Sequence, residues 1–144
     1  MTNMFTNYDN IKSTSCFAAP LFDLPKGIKS IKNIKGEILG VQAEQALPLQ
    51  LYFHLENVCE EELLEIISGT VLFEIITTTH KTMMSKEFLV SNILDQASRD
   101  LSIRLSPEEL KPLKKETYTM RVTLKVAETS YVIFDEKDSY LVIR

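Results

Sequence analysis

The chain has 144 residues, of which 44% are hydrophobic and 25% are charged, and its formal net charge is −4. This length is enough for one domain with a single core, and the modest negative charge excludes a strongly basic nucleic-acid-binding surface. Only two cysteines, Cys16 and Cys59, are present, which excludes a disulfide framework.

The sequence also gives no signal for a membrane or for secretion. Its longest uncharged runs fall well short of the roughly 20 apolar residues that a membrane helix needs. Residues 1–10 have neither the basic segment nor the apolar segment of a secretory signal. We therefore expect no membrane partner and synthesis in a cytoplasm.

Residues 1–34 differ in composition from the rest and are predicted to form an N-terminal arm. They are rich in Asn, Thr, Ser and Lys, yet they contain several aromatic residues, which a freely solvated tail normally lacks. Two interpretations remain open: the arm completes the core of its own domain, or it docks on another chain. Pro20 and Pro25 exclude a regular helix or a central strand between them.

The end of the arm carries three isoleucines at a spacing of three, and each is directly followed by a lysine. Ile28, Ile31 and Ile34 form an apolar stripe if the segment is a helical turn, whereas an extended connector would simply be basic and exposed. The lysines lack interleaved aromatics and arginines, so they do not indicate nucleic-acid binding.

Residues 35–144 are predicted to form an all-β domain. The clearest strand is 117–126, where Tyr118, Met120, Val122, Leu124 and Val126 alternate with polar residues, as expected when one face is buried. Further strands are predicted by alternation or β-branched content at 37–41, 49–55, 70–77, 83–90, 101–105, 130–134 and 139–143. Seven or eight short strands at this spacing predict an antiparallel β-sandwich, with the last two forming a closing hairpin.

Two short helices are predicted between the strands. Glu60–Glu62 begin one helical turn, and Gly69 ends it. Ser106, Pro107 and Glu109 have the sequence form of a capped helix start. Residues 91–100 are interpreted as a connector.

The sequence contains no recognisable motif for catalysis, for a cofactor or for a metal ion. His54, Cys59 and His80 do not form a recognisable zinc pattern, and the four glycines form no phosphate-binding loop. The acidic segment 135–138 lacks the spacing of a calcium loop and is interpreted as a solvated turn. We therefore predict no cofactor and no enzymatic activity.

Carbohydrate or cell-surface binding is the alternative function. An exposed row of aromatic side chains would favour it, and core packing is the commoner role of such residues. The candidate residues are Tyr52, Phe53, Tyr118, Tyr131 and Tyr140.

The order of segments from residue 47 onward resembles a known family. Its elements are the strand 49–55, the buried strand 71–75, a turn and strand at 95–105, the corner 106–110, and a tyrosine-led strand at 118–126 followed by 140–143. This order is similar to that of the immunoglobulin-like domains of tailed-phage virion proteins, in particular the N-terminal domain of the phage baseplate upper protein. The chain lacks the glycine that is usual in that family at 95–100 and before Tyr118.

The resemblance implies an immunoglobulin-like sandwich and a structural role in a bacteriophage virion. Such a part of a head fibre, tail or baseplate is expected to anchor to neighbouring virion proteins and to be a homo-oligomer. The arm at 1–34 suits an anchor, because aromatic anchors dominate interface energetics. The predicted docking residues are Phe5, Tyr8, Phe17, Phe22, Ile28, Ile31 and Ile34.

Overall fold

The computed structural model describes residues 12–18, 29–32, 38–43, 47–56, 58–135 and 140–143. These residues form an all-β sandwich of two sheets, which confirms the predicted fold class at this level. The described part of the chain contains eleven strands, against the seven or eight predicted. They are β1 (Lys12–Ala18), β2 (Lys29–Lys32), β3 (Ile38–Ala43), β4 (Leu49–Glu56), β5 (Thr70–Thr77), β6 (Thr82–Leu89), β7 (Leu94–Asp95), β8 (Asp100–Leu105), β9 (Thr117–Val126), β10 (Thr129–Phe134) and β11 (Tyr140–Ile143).

The smaller sheet has the strand order β1-β4-β8-β7, and the larger sheet has the order β2-β3-β11-β9-β5-β6. Strand β10 also pairs with β9, beside β11 on the same edge. Strands β3 and β11 run parallel, whereas the other described pairs run antiparallel. Three short helices connect the strands: α1 (Glu60–Ile66), α2 (Val90–Ile93) and α3 (Pro107–Leu110).

Strand β9 packs with the alternation of apolar and polar residues that its sequence predicts. Its apolar residues from Tyr118 to Val126 are buried between the sheets, and β9 pairs along most of its length with β5. The opposite face of β9 is also largely covered, because Thr119 and Thr123 are each only 9% exposed. Strand β9 is therefore the centre of the larger sheet, as its sequence indicates.

Phe53 joins the two sheets through the core. Its ring centroid lies 6.1 Å from that of Phe73 on β5 and 5.0 Å from that of Phe134 on β10, and the second pair packs edge to face. Phe53 and Phe73 are fully buried. Burial of each such side chain contributes about 1.5–3 kcal/mol of stability, so this cluster holds the sheets together.

Helix α1 begins where the acidic residues predict, and Gly69 has a further reason for being glycine. The Glu62 carboxylate accepts a hydrogen bond from the Cys59 backbone N–H at 3.1 Å, which satisfies one free donor of the first turn. A Cβ atom added to Gly69 would collide with the Lys125 carbonyl oxygen. Gly69 therefore permits the close approach of the α1–β5 connection to β9.

Three segments differ from the sequence-based expectation. The arm contains β1 and β2, and the predicted connector 91–100 contains most of α2 and all of β7. The predicted closing hairpin is wrong, because β10 pairs with β9 across the turn at Ala127, while β11 pairs with β9 and β3. Ala127 adopts a positive φ of 56°, a conformation that apolar alternation cannot reveal.

Candidate interaction surface

Two of the predicted docking residues lie in described strands. Phe17 is in β1 and stands opposite Tyr52 of β4, and Ile31 is in β2 and stands opposite Gly40 of β3. These two strands pair within their own chain, and the docking role of the seven residues stays a prediction. The other five lie outside the described residues: Phe5, Tyr8, Phe22, Ile28 and Ile34.

Strands β1 and β2 occupy outer positions in the sandwich, and we call them together the N-terminal edge. Strand β1 is the first strand of the smaller sheet, and β2 is the first strand of the larger sheet. Strand β1 also lies beside β10, so it closes the space between the two sheets on this side. Its register shifts between Ser13 and Ser15, which leaves Thr14 as an extra residue in a bulge.

Strand β6 forms the opposite end of the larger sheet, and we call it the β6 edge. It pairs with β5 from Thr70 to Ile76, and none of its eight residues is buried. Met83 and Leu89 are exposed. An exposed edge strand of this length offers unpaired backbone groups to other chains unless something blocks it.

Lys86 provides such a block at the β6 edge. It stands opposite the buried Phe73, so its position faces the interior of the sandwich. Its Nζ lies 2.9 Å from the Glu109 carboxylate of α3 and 3.4 Å from the Arg104 carbonyl oxygen of β8, which both accept from it. The ammonium also lies 5.2 Å from the centre of the Phe88 ring. An inward-pointing charge on an edge strand disfavours pairing with another strand.

Glu109 is fixed on both sides of its carboxylate. It accepts a hydrogen bond from the Ser106 backbone N–H at 3.0 Å, and its own N–H donates to the Ser106 Oγ at 3.2 Å, which forms the predicted capping box. Partial burial alone would raise the pKa of Glu109, but the Ser106 N–H and the Lys86 ammonium outweigh it and hold the pKa below the ordinary value of 4.5. Glu109 therefore stays ionised and keeps Lys86 in place.

Lys86 is not among the residues predicted from the sequence, although its strand carries a signal for this role. Met84, Lys86 and Phe88 occupy alternate positions of β6 that face the core. A lysine in such an inward series is a known means of protecting an edge strand. The sequence does not reveal that β6 is an edge strand, and this knowledge is needed to interpret the lysine.

The outer face of the larger sheet carries two ion pairs, one between the neighbouring strands β9 and β5 and one between β9 and β6, which lie on either side of β5. Arg121 Nε lies 3.1 Å from Glu74 Oε1, and Lys125 Nζ lies 3.2 Å from Glu87 Oε2. Apolar groups stand beside these pairs: Val132 is 50% exposed and Tyr140 is 48% exposed. A sheet face with paired charges and exposed apolar groups suits contact with another protein surface.

The smaller sheet carries a polar row in which His54 and Asp100 stand opposite each other. His54 Nδ1 lies 2.8 Å from Asp100 Oδ1, and both side chains are partly exposed. Arg99, in the turn before β8, adopts a positive φ of 63° and donates to Glu60 Oε1 at 2.9 Å. Within the described part of the chain, no three His, Cys, Asp or Glu residues come together as metal ligands.

The aromatic residues of the alternative hypothesis are divided between the core and the surface. Phe53 and Tyr118 are buried in the core, and Tyr52 and Tyr131 are half-buried. Tyr140 is the most exposed of the five. The described residues therefore do not form an exposed aromatic row.

Tyr118 makes a specific hydrogen bond from inside the core. Its hydroxyl donates to the Lys114 carbonyl oxygen at 2.9 Å, four residues before it in the chain. Burial raises the pKa of Tyr118, and the nearby Glu116 carboxylate adds to this, although the bond to Lys114 acts in the opposite direction. The hydroxyl thus remains protonated and ties the α3–β9 connection to the start of β9.

Comparisons with known proteins add no relative to this description. No protein-family model matches the chain, and no curated protein matches it. Among the described helices, none is long and apolar enough to cross a membrane.

Proposed function

We propose that this chain is a non-enzymatic structural protein of a bacteriophage virion. In this role it is a head-fibre, tail or baseplate component, and residues 1–34 anchor it to neighbouring virion proteins. The observation that carries the proposal is the strand order of the two sheets, because it supports the resemblance that implies this role.

The strand order supports the proposal that this is an immunoglobulin-like domain. Such domains have strands A, B, E and D in one sheet, and C, F and G in the other, with C′ added beyond C in variable-type domains. The smaller sheet, β1-β4-β8-β7, follows the order A-B-E-D, and the series β6-β5-β9-β10 follows C′-C-F-G. These are eight of the eleven described strands, and β2, β3 and β11 extend the larger sheet beyond them.

The position of Tyr118 supports the same assignment. Immunoglobulin-like domains carry a tyrosine near the start of strand F whose hydroxyl donates to the backbone a few residues upstream. Tyr118 lies at the start of β9, the strand that corresponds to F, and donates to the Lys114 carbonyl oxygen. The corner Ser106–Leu110 and this tyrosine are two of the features on which the resemblance depends.

The described surface favours protein contacts over sugar recognition. Sugar-binding sites use exposed aromatic rings as platforms, whereas the outer face offers Tyr140 and Val132 beside the Arg121–Glu74 ion pair. We therefore place the carbohydrate or cell-surface module second. It would gain support if the full chain bound defined glycans and if Tyr140→Ala abolished this binding.

The test is whether the protein is a stoichiometric part of purified particles. Particles of the phage that encodes the chain are purified on a density gradient and analysed by quantitative mass spectrometry. We expect its peptides to co-migrate with the capsid proteins at a fixed ratio through a second gradient. Peptides found only in the soluble lysate would contradict the proposal.

A variant can then test the anchor. Tagged wild-type chain and a Phe5→Ser/Tyr8→Ser variant are supplied during infection, and their incorporation into particles is compared. We expect the variant to be incorporated at a much lower level, because it lacks two aromatic anchors. A Thr2→Ser/Asn3→Ser variant is the matched control in the same segment and should be incorporated like the wild type. Equal incorporation of all three would contradict the anchoring role of the arm.

A further inference from the structure

We propose that β1 exchanges between two copies of this chain, so that Lys12–Ala18 of one copy pairs with β4 of the other in the register seen within one chain. The inference rests on the proposed anchoring role of residues 1–34 and makes it specific. The partner of this part of the arm is a second copy of the same chain, and the contact is a strand ladder.

The first support is the way in which β1 is held. It is the outer strand of the smaller sheet, and its ladder is formed with β4, from Lys12 opposite Glu56 to Ala18 opposite Leu51. The ladder consists of backbone hydrogen bonds, and these are the same whichever copy provides the strand.

The second support is that β4 remains a complete template without β1. On its other side β4 pairs with β8, from Leu49 opposite Leu105 to His54 opposite Asp100. Its inward side chains, such as Phe53, are fully buried against the larger sheet. If β1 left, β4 would stay in place and would present an unpaired edge, which a strand from another copy can complete.

The third support is the length of the connection. Residues 19–28 separate β1 from β2, and ten residues span at most roughly 33–36 Å when extended. This reach is several times the spacing of about 4.8 Å between neighbouring strands. The length of the connection therefore does not confine β1 to β4 of its own chain.

The opposite end of the sandwich directs the exchange to this side. The β6 edge carries the inward Lys86, held by Glu109, which disfavours the addition of a strand there. Mutual exchange of β1 uses the same two surfaces on both copies, so it closes as a two-fold dimer and does not propagate.

Single cysteines at one register pair test the exchange in the full chain. The background is Cys16→Ser/Cys59→Ser; Cys59 is the exposed N-cap of α1, where serine is favoured. Ser15→Cys is added to one sample and His54→Cys to another, because these positions stand opposite each other in β1 and β4. Paired residues of an antiparallel ladder lie within the Cα distance that a disulfide needs.

The two variants are mixed in denaturant, refolded together, oxidised and separated on a non-reducing gel. We expect the dimer that joins Ser15→Cys to His54→Cys to exceed either same-variant dimer by at least tenfold, since exchange brings only the unlike positions together. A statistical mixture of the three dimers, or monomers alone, would overturn the proposal. As a control, Glu87→Cys on the β6 edge replaces Ser15→Cys and should give no preferred dimer with His54→Cys.

A double variant, Ser15→Cys/His54→Cys, gives an independent result. Exchange predicts that oxidation produces a covalent dimer of twice the 16.5 kDa chain mass, whereas pairing within one chain produces an oxidised monomer. An oxidised monomer at every protein concentration would overturn the exchange. This outcome leaves the virion assignment intact, because that assignment depends on co-purification with particles.

Discussion

The N-terminal edge and the β6 edge close the same sandwich by different physical means. At the N-terminal edge, two strands complete the sheets through backbone ladders, with β1 on β4 and β2 on β3. At the β6 edge, the closing device is one charged side chain, Lys86, which is held by Glu109 and caps the Arg104 carbonyl oxygen.

This difference determines what each edge can do. A backbone ladder has the same geometry within one chain and between chains, so the N-terminal edge is able to accept a strand from another copy. A charge at an inward position loses its hydration if a further strand covers it, so the β6 edge resists such addition. We therefore expect association at the N-terminal edge and its suppression at the β6 edge.

The largest expected effect comes from removing the core behind the N-terminal edge. Phe53→Ala deletes the ring that contacts both Phe73 and Phe134, and we expect it to lower the free energy of unfolding by about 3–5 kcal/mol. Urea unfolding measures this change. The control is Leu64→Ala on the exposed side of α1, which should stay within about 0.5 kcal/mol of the wild type. Similar values for the two variants would contradict the assignment of Phe53 to the core.

The second prediction concerns a position between the two edges. Tyr118→Phe removes the donor to the Lys114 carbonyl oxygen and should lower the free energy of unfolding by about 1–2 kcal/mol. Because β9 is the centre of the larger sheet, amide exchange should accelerate in its neighbours β5 and β11. Tyr140→Phe, at an exposed tyrosine, is the matched control and should leave both quantities unchanged. Faster amide exchange in only one of β5 and β11 would contradict the central role of β9 in the larger sheet.

The third prediction removes the block at the β6 edge. Lys86→Met keeps the side-chain volume and loses the charge, so the unfolding free energy should change by less than about 1 kcal/mol. The larger change should be in association, with a mass that rises with protein concentration in light scattering. Lys125→Met is the matched control, since Lys125 pairs with Glu87 away from the inward positions. Equal association of the two variants would show that Lys86 does not protect the edge.

The smallest expected effect is a change in pH dependence. The pKa of Glu109 is lower in the folded chain than its ordinary value of 4.5, so the folded state binds fewer protons there than the unfolded state. Its stabilising contribution is therefore present above that value and is lost as the pH falls through the folded pKa. Glu109→Gln should remove this part of the acid sensitivity, which urea unfolding measures as the pH is lowered from neutral to below 4.5. Glu108→Gln, at its exposed neighbour, should keep the wild-type slope.

The sequence was sufficient where side-chain pattern and packing agree. Strands such as β5 and β9 were predicted within a residue or so, because their buried faces repeat every second residue. The start of α3 was predicted because a capping box depends on local contacts, here between Ser106 and Glu109. In each case the information lies within a short stretch of chain.

The sequence was insufficient where the structure depends on distant backbone. Strand β1 has no apolar alternation, so its sequence gives no strand signal. Its partner β4 lies more than thirty positions away in the chain, which local patterns do not reveal. Residues 95–100 contain no glycine, yet Arg99 adopts the left-handed conformation in the turn before β8, where its guanidinium donates to Glu60 Oε1. The protective role of Lys86 depends on the rank of β6 in the sheet, which follows only from the complete strand order.

The parallel pairing of β3 and β11 has a consequence for the time course of folding. Strand β11 lies between β3 and β9, so it connects the β2–β3 pair to the centre of the larger sheet. During synthesis β11 appears after every other strand described, and the contacts between β3 and β11 span about a hundred residues of chain. Such long-range contacts form slowly because loop closure precedes them. Newly made chains therefore pass through a period in which the β2–β3 pair is not yet joined to β9 through β11, and neighbouring chains on one messenger can meet each other during it.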